Sequence, residues 1–317
     1  MLLVFASQFV ASSSLRSQQN TLTPPMSHHR PTPPTPGSLP TPLPPPLPPV
    51  LHEILAHVAT VVEQSKAALP AKSLREAIAA APPCRGFVRA LHAAAPFAII
   101  AEVKRQSPSA GLIRPAYAGP GFSPGAIAQL YAAHGAAAIS CLTEERFFGG
   151  KPEFLTLVRE SVPQPVLRKD FILDSHQLLV ARALGADAAL LMAECLPGDQ
   201  LQELAGTALA LDLDLLIEAH DAANLPRAWD VVRQCGDRAL LGINNRDLTT
   251  MHVDLAHTSR MVREHNIPPE LVVAESGIKT YADLKALAQT GVRKALVGEH
   301  LMRHANPGEA LARLLTD

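Results

Sequence analysis

The chain has 317 residues, 47% of them hydrophobic, enough to bury one large core in a single α/β domain. Its 28 basic and 29 acidic residues leave a net charge of -1, so composition supplies no basic face for sequence-independent nucleic-acid binding. Cys84, Cys141, Cys195 and Cys235 lie far apart with no C-x-x-C pair, which argues against a zinc cage or disulfide framework, and no apolar run reaches the roughly 18 residues of a membrane-spanning helix.

Residues 1–50 are expected to be a disordered, Pro-rich tail. MLLVFASQFVASSSLRSQQN leads into PTPPTPGSLPTPLPPPLPP, where proline repeatedly removes backbone donors and leaves an extended chain. The first acidic residue is Glu53, a composition shared with organelle transit peptides. The plainer reading is a solvated tail, or a start placed ahead of Met26 or a later true beginning. A cytoplasmic location goes with that reading, a plastid with the transit peptide.

Residues 51–317 are expected to form one domain that includes lead-in helices over 51–95. Leu51, Ile54, Leu55, Val58, Val61 and Val62 fall at helical spacing. Ser73 and Glu76 predict a capping box for a second helix, which Pro82-Pro83 stops. From Phe97 onward eight short apolar runs alternate with amphipathic stretches: FAIIAEVK, AAISCLT, PVLRKDF, DAALLMA, LDLLIEAH, ALLGINNR, LVVAESG and KALVGE. Continuous apolar runs mark strands buried on both faces, and the helices between them imply parallel pairing. Ser123-Pro124 and Thr280 with Asp283 open two of those helices, and Gly135, Gly185 and Gly291 each precede a strand, where a left-handed helix C-cap belongs. Eight such units predict a (β/α)8 TIM barrel; a doubly wound sheet is the second choice, but no G-x-G-x-x-G follows the first strand.

A barrel of this kind keeps its chemistry at the C-terminal strand ends. Glu102 and Lys104 alternate onto one face of the first strand, which at a barrel top is the interior. Taken alone, the pair reads first as a solvated strand end with a structural ion pair. The other strand ends change the balance: Lys169, Glu218, Asn244 and Glu275-Ser276 close their own runs, and so many ionisable groups around one axis are costly unless paired or used. Gly277 and Gly298 stand where the last two strands leave the sheet, a place where barrels often hold phosphate on backbone amides. The ligand expected is a phosphorylated small molecule, with no metal: the histidines are scattered without ligand spacing.

The segments IAEVKRQSPSAGLIRP, CLTEERFFGG, PVLRKDFILD, GINNRDL and AESGI resemble those of indole-3-glycerol-phosphate synthases, in that family's order and over nearly all of residues 51 to 317. The resemblance implies ring closure of 1-(2-carboxyphenylamino)-1-deoxyribulose 5-phosphate to an indole, with loss of carbon dioxide and water and no cofactor. It implies Lys169 as general acid, Lys104 with Glu102 in the later dehydration, and Glu218 or Glu102 as proton acceptors. Asn244 and Arg246 would orient substrate and carboxylates, Phe171 would wall the aromatic pocket, and Ser107, Ser276, Gly277, Gly298 and Glu299 would line the substrate or phosphate. A partly desolvated lysine beside other positive charge is expected to have its pKa lowered toward the working range.

The chain departs from the family pattern in a longer loop after the first strand, RPAYAGPGFSPGAIA, in Ser123 where aspartate is common, and in His300 where a small hydroxyl residue is expected. The other readings of these residues are a different phosphosugar barrel, such as phosphoribosylanthranilate isomerase or a Schiff-base aldolase acting through Lys169, and an idle barrel kept as a binding subunit. A fused isomerase barrel is not expected, and nothing in the sequence specifies an oligomeric state.

Overall fold

The computed structural model describes residues 47–316; the expected Pro-rich tail lies outside the described residues up to residue 46. Three lead-in helices come first: α1 (Pro49–Ala68), α2 (Ala71–Ala80) and α3 (Phe87–Ala93). The first begins two residues before the expected boundary, with Pro49 at its start, where a missing N–H costs nothing. Leu51, Ile54, Val58 and Val62 form its buried stripe; Val61 faces outward.

The expected capping box at Ser73 is not formed. The second helix already starts at Ala71 after an extended Pro70, so Ser73 lies inside its first turn and caps nothing. It ends as expected: Ala81, which precedes Pro82, is extended at φ -76°, ψ 147°.

All eight expected strands form: β1 (Ala98–Val103), β2 (Ala138–Leu142), β3 (Val166–Lys169), β4 (Ala188–Met192), β5 (Asp214–Ala219), β6 (Ala239–Asn244), β7 (Val272–Glu275) and β8 (Lys294–Val297). Each pairs in parallel with the next, and the eighth closes on the first through Ala101 opposite Val297. The helices between them are α4 (Pro124–Ala133), α5 (Phe154–Ser161), α6 (Ser175–Ala183), α7 (Gln200–Ala210), α8 (Leu225–Cys235), α9 (Ala256–Glu264) and α10 (Tyr281–Ala288); α11 (Glu299–Met302) and α12 (Pro307–Leu315) follow the last strand.

Local signals in the sequence explain these ends. Ser123 caps α4, and Thr280 with Asp283 makes a reciprocal capping box on α10. Gly135, Gly185 and Gly291 have φ of 94°, 91° and 87°, the left-handed geometry that reverses a helix toward the next strand. A second capping box, Asp174 with Gln177 on α6, went unread in DSHQ.

At the opposite end from the strand C-termini, buried ions dock the lead-in segment. Asp187 is fully buried, pairs with Arg159, and accepts the backbone N–H of Arg85 and of Val166, each at 2.8 Å. Asp214 accepts the Val88 N–H at 2.9 Å. At the other end α1 lies across the strand C-termini, its Ile54, Val58 and Val62 packed against Phe147, Phe148, Phe171 and Leu173. Polar contacts fasten both ends of that helix: Arg146 to Glu53 at 2.6 Å, and Lys66 to Asp174 at 2.7 Å.

Candidate active site

The closed barrel turns alternate residues of each strand inward, and at the top layer these are charged. Lys169, at the end of β3, donates from Nζ to Glu218 Oε2 at 2.9 Å and lies 3.7 Å from Glu275 Oε2. Asn244, at the end of β6, donates its amide to Glu218 Oε1 at 2.8 Å, so both oxygens of that carboxylate are held. Across the barrel Lys104 Nζ lies 2.6 Å from Glu102 Oε1. Glu102, Glu218 and Glu275 are each at most 3% exposed, so each lysine sits against a carboxylate from which water is largely excluded.

Two glycines make room for these carboxylates. A Cβ at Gly298 would stand 2.2 Å from Glu102 Oε1, and one at Gly242 would stand 2.2 Å from Glu275 Oε1. Gly298 was expected as a phosphate residue; it also leaves space for the Glu102 side chain. Gly242 carried no readable signal, since it lies mid-strand in a run that reads as ordinary buried sheet.

The lysine electrostatics correct the expectation from sequence. Burial alone would lower the Lys169 pKa, but the charges of Glu218, Glu275 and Glu102 and the Glu218 hydrogen bond outweigh it and raise the pKa above the ordinary lysine value. The neighbours are carboxylates rather than cations, so Lys169 holds its proton. Glu275 moves the other way from an ordinary acid: burial first, then the Glu218 charge, push it well above the carboxylate range. Its Oε1 has no hydrogen-bond partner among the described residues. Glu218, hydrogen-bonded at 2.9 Å against 3.7 Å for Glu275, is the nearer partner of Lys169.

A cavity of about 890 Å³ opens over this layer, and every residue singled out from sequence lines it. Arg246 enters it from the loop after β6, its backbone N–H on Asn244 Oδ1 at 3.0 Å and its guanidinium 3.9 Å from Glu299. Glu299 is also gripped by Arg303 at 2.6 Å, and its carboxyl lies below the usual range despite burial, through that hydrogen bond and charge and the charges of Lys104 and Arg246. Its acidic side chain is thus tied to cations beside the expected phosphate end. Ser276 and Gly277 carry φ of 65° and 86° there, and a Cβ at Gly277 would meet Val253 at 2.4 Å. The Ser107 hydroxyl accepts the Ala110 N–H at 3.2 Å and so shapes a short hairpin, Gln106–Ser107 with Gly111–Leu112.

The apolar half of the cavity extends beyond what the sequence indicated. Phe171 lines it as expected, with Phe148 packed against it at 6.0 Å between ring centroids. Val50, Leu51 and Ile54 of α1 close the same side, and Leu248, Met251 and Leu255 add the wall near Arg246. Glu275, read from sequence only as a polar strand end, belongs to the charged floor. His300, the departure after Gly298-Glu299, also lines the cavity, with its pKa lowered by burial and then by neighbouring His304 and Lys279. Among the described residues no group of three His, Cys, Asp or Glu side chains converges as a metal cage.

Comparison with known proteins agrees with this geometry. The family model of indole-3-glycerol phosphate synthase matches residues 51–314. The indole-3-glycerol phosphate synthase of Acidithiobacillus ferrooxidans is 44% identical over 268 residues, covering 83% of this chain and 97% of that protein. That of Rhodopirellula baltica is 45% identical over 263 residues, with the same coverage of 83% and 97%. A crystal structure of 3-hexulose-6-phosphate synthase superposes with a TM-score of 0.53 at 16% identity, covering 69% of this chain and 98% of that one, a likeness of fold alone. The charged barrel top, the cavity and the match over residues 51–314 together place this chain in the indole-3-glycerol phosphate synthase family.

Proposed function

We propose that the cavity performs the reaction of this family, converting 1-(2-carboxyphenylamino)-1-deoxyribulose 5-phosphate to indole-3-glycerol phosphate with loss of carbon dioxide and water. The observation that carries the proposal is the pair of lysines at the barrel top, each seated on its own buried carboxylate beneath a cavity with one apolar and one cationic end. Each pair is a proton donor beside an acceptor, and the reaction needs two such events.

In the first, the aromatic carbon bearing the carboxylate attacks the ketone carbon, and the Lys169 ammonium gives its proton to the developing alkoxide. A proton held firmly until charge appears suits this step, because the acid is in its correct state over the working range. Carbon dioxide then leaves and the ring regains aromaticity. In the second event Lys104 protonates the departing hydroxyl, which leaves as water, while Glu102 beside it accepts the proton released from the new ring. Lys169 takes its proton back from solvent, while Glu218 holds the ammonium in place.

Phe171 and Phe148 hold the aryl group, and Arg246 with the backbone at Gly277, Gly298 and Glu299 receives the phosphate. A cytoplasmic site of action belongs to the same proposal and is supported by four free cysteines, three of them buried. No helix among the described residues is long and apolar enough to cross a membrane.

Product stoichiometry tests the assignment. One carbon dioxide per indole fluorophore, with no borohydride-trapped adduct on Lys169, is expected. A trapped imine, or fluorophore without carbon dioxide, would move the protein to the aldolase reading or to another phosphosugar reaction.

A further inference from the structure

Behind the cavity wall lies a group of polar side chains that none of these steps uses. Glu194 follows β4 in a short 3-10 turn, Ala193–Cys195, and neither it nor His220 nor His257 lines the cavity. Its Oε1 accepts the backbone N–H of His220 at 2.6 Å and of Asp221 at 3.3 Å, just past the end of β5. His220 Nδ1 lies 2.7 Å from the main-chain oxygen of Asn244. A carbonyl only accepts, so Nδ1 carries the proton. By the same reasoning His257 Nε2 donates to the His220 carbonyl at 2.7 Å, and the two imidazoles stack at 5.0 Å.

These contacts close a ring. The Asn244 backbone is held by His220, its side-chain amide holds Glu218, and Glu218 stands two residues before His220 on the same strand exit. The ends of β4, β5 and β6 are thereby joined by side chains where the sheet ladder has run out. We propose that Glu194 and His220 are positioning residues that fix the Asn244 amide and, through it, hold Glu218 against Lys169. The inference rests on the reading that Glu218 and Lys169 serve the reaction.

The charged and titratable neighbours are Glu218, Asp221 and Cys195 around Glu194, with Lys169 acting on Cys195 and Arg227 bonded to the carbonyls of the turn; Asp247 lies near His220, and Asp254 and Arg260 flank His257. Burial pushes the Glu194 carboxyl up to about 7 against the pull of the His220 N–H. A neutral carboxyl keeps a carbonyl oxygen as acceptor, so glutamine can replace it in the ring.

The test is the pH profile of kcat for the full-length chain and four variants. His220→Ala and Glu194→Ala are expected to lose roughly tenfold to a hundredfold in kcat, the scale of a small displacement of a catalytic group. Their alkaline limb should move to lower pH, because a displaced Glu218 no longer helps Lys169 keep its proton. His220→Asn, whose Nδ2 reproduces the Nδ1 donor, and Glu194→Gln should keep the parent rate within about threefold and leave the limb in place. A smaller folded fraction would scale the profile without moving it. Alanine variants with an unmoved limb, or conservative variants as damaged as the alanines, overturn the proposal.

A crystal structure of His220→Ala gives the second reading, independent of turnover. The Asn244–Glu218 contact should open beyond its present 2.8 Å, and its retention overturns the inference. A failure of the catalytic reading would show instead as an inactive parent.

Discussion

Gly298→Ala tests how closely the site is built. The added methyl carbon would stand 2.2 Å from Glu102 Oε1, 2.9 Å from its Cδ and 3.0 Å from its Cβ. Unstrained contact needs about 3.5 Å, so the carboxylate must retreat by about 1 Å. Glu102 is 3% exposed, and the atom struck is the one that holds Lys104 at 2.6 Å, so any retreat into the cavity breaks that pairing. A misplacement of about 1 Å costs on the order of a hundredfold in rate, or about 2.7 kcal/mol of barrier. Overpacking of this kind also costs about 1–3 kcal/mol of stability, which a large barrel tolerates. The assay is the initial rate of indole fluorescence at saturating substrate, with fold checked by circular dichroism and thermal unfolding. A folded variant working within about threefold of the parent would refute the reasoning, because Glu102 would then have moved without consequence.

Other expectations follow from the same structure. Asp187→Ala leaves Arg159 without its buried partner and strands two backbone N–H groups, so unfolding by denaturant should show a loss of about 3–5 kcal/mol; a change below about 1 kcal/mol would mean the cluster contributes little. Glu194 has a folded-state pKa raised from the ordinary 4.5 to about 7, so its contribution to stability, present in acid, is lost as pH rises through that window. Glu194→Gln removes the titration and should be more stable than the parent at pH 8 by up to about 3 kcal/mol, with little difference near pH 5; equal pH dependence in the two proteins would contradict this. Gly206 lies exposed within α7, and no atom would meet an added Cβ there, so Gly206→Ala should raise stability by about 0.5–1 kcal/mol without changing turnover; a loss of stability would contradict it.

The barrel was legible because its signals are local. Runs such as AAISCLT and DAALLMA are apolar on both faces, and Gly135, Gly185 and Gly291 mark the returns between helix and strand, so neighbouring residues carry the information. The Ser73 capping box failed for a local reason as well: Pro70 sets the start of the helix earlier than the serine does. Lys104, Lys169, Glu102 and Glu218 could be placed at the barrel top by strand alternation, yet their pairing could not. Which carboxylate faces Lys169 depends on three strands meeting, and an expectation of cationic surroundings gave the wrong sign for its pKa.

What the sequence withheld is contact across long separations. Phe148 and the first turns of α1 meet at the cavity only after the lead-in helix has crossed the barrel top. Gly242 matters because of a carboxylate on the neighbouring strand, and Glu194 because of amides two residues past Glu218. None of these has a motif of its own, since each is defined by the side chain it accommodates or holds.

The most direct test of the central claim is the rate of indole-glycerol phosphate formation by the intact chain and by Lys169→Ala, without added metal. Product from the intact chain and a loss of at least roughly a hundredfold in the variant, the scale of a general acid, is the predicted result. A folded intact chain that forms no product, or a variant as active as its parent, would contradict the account.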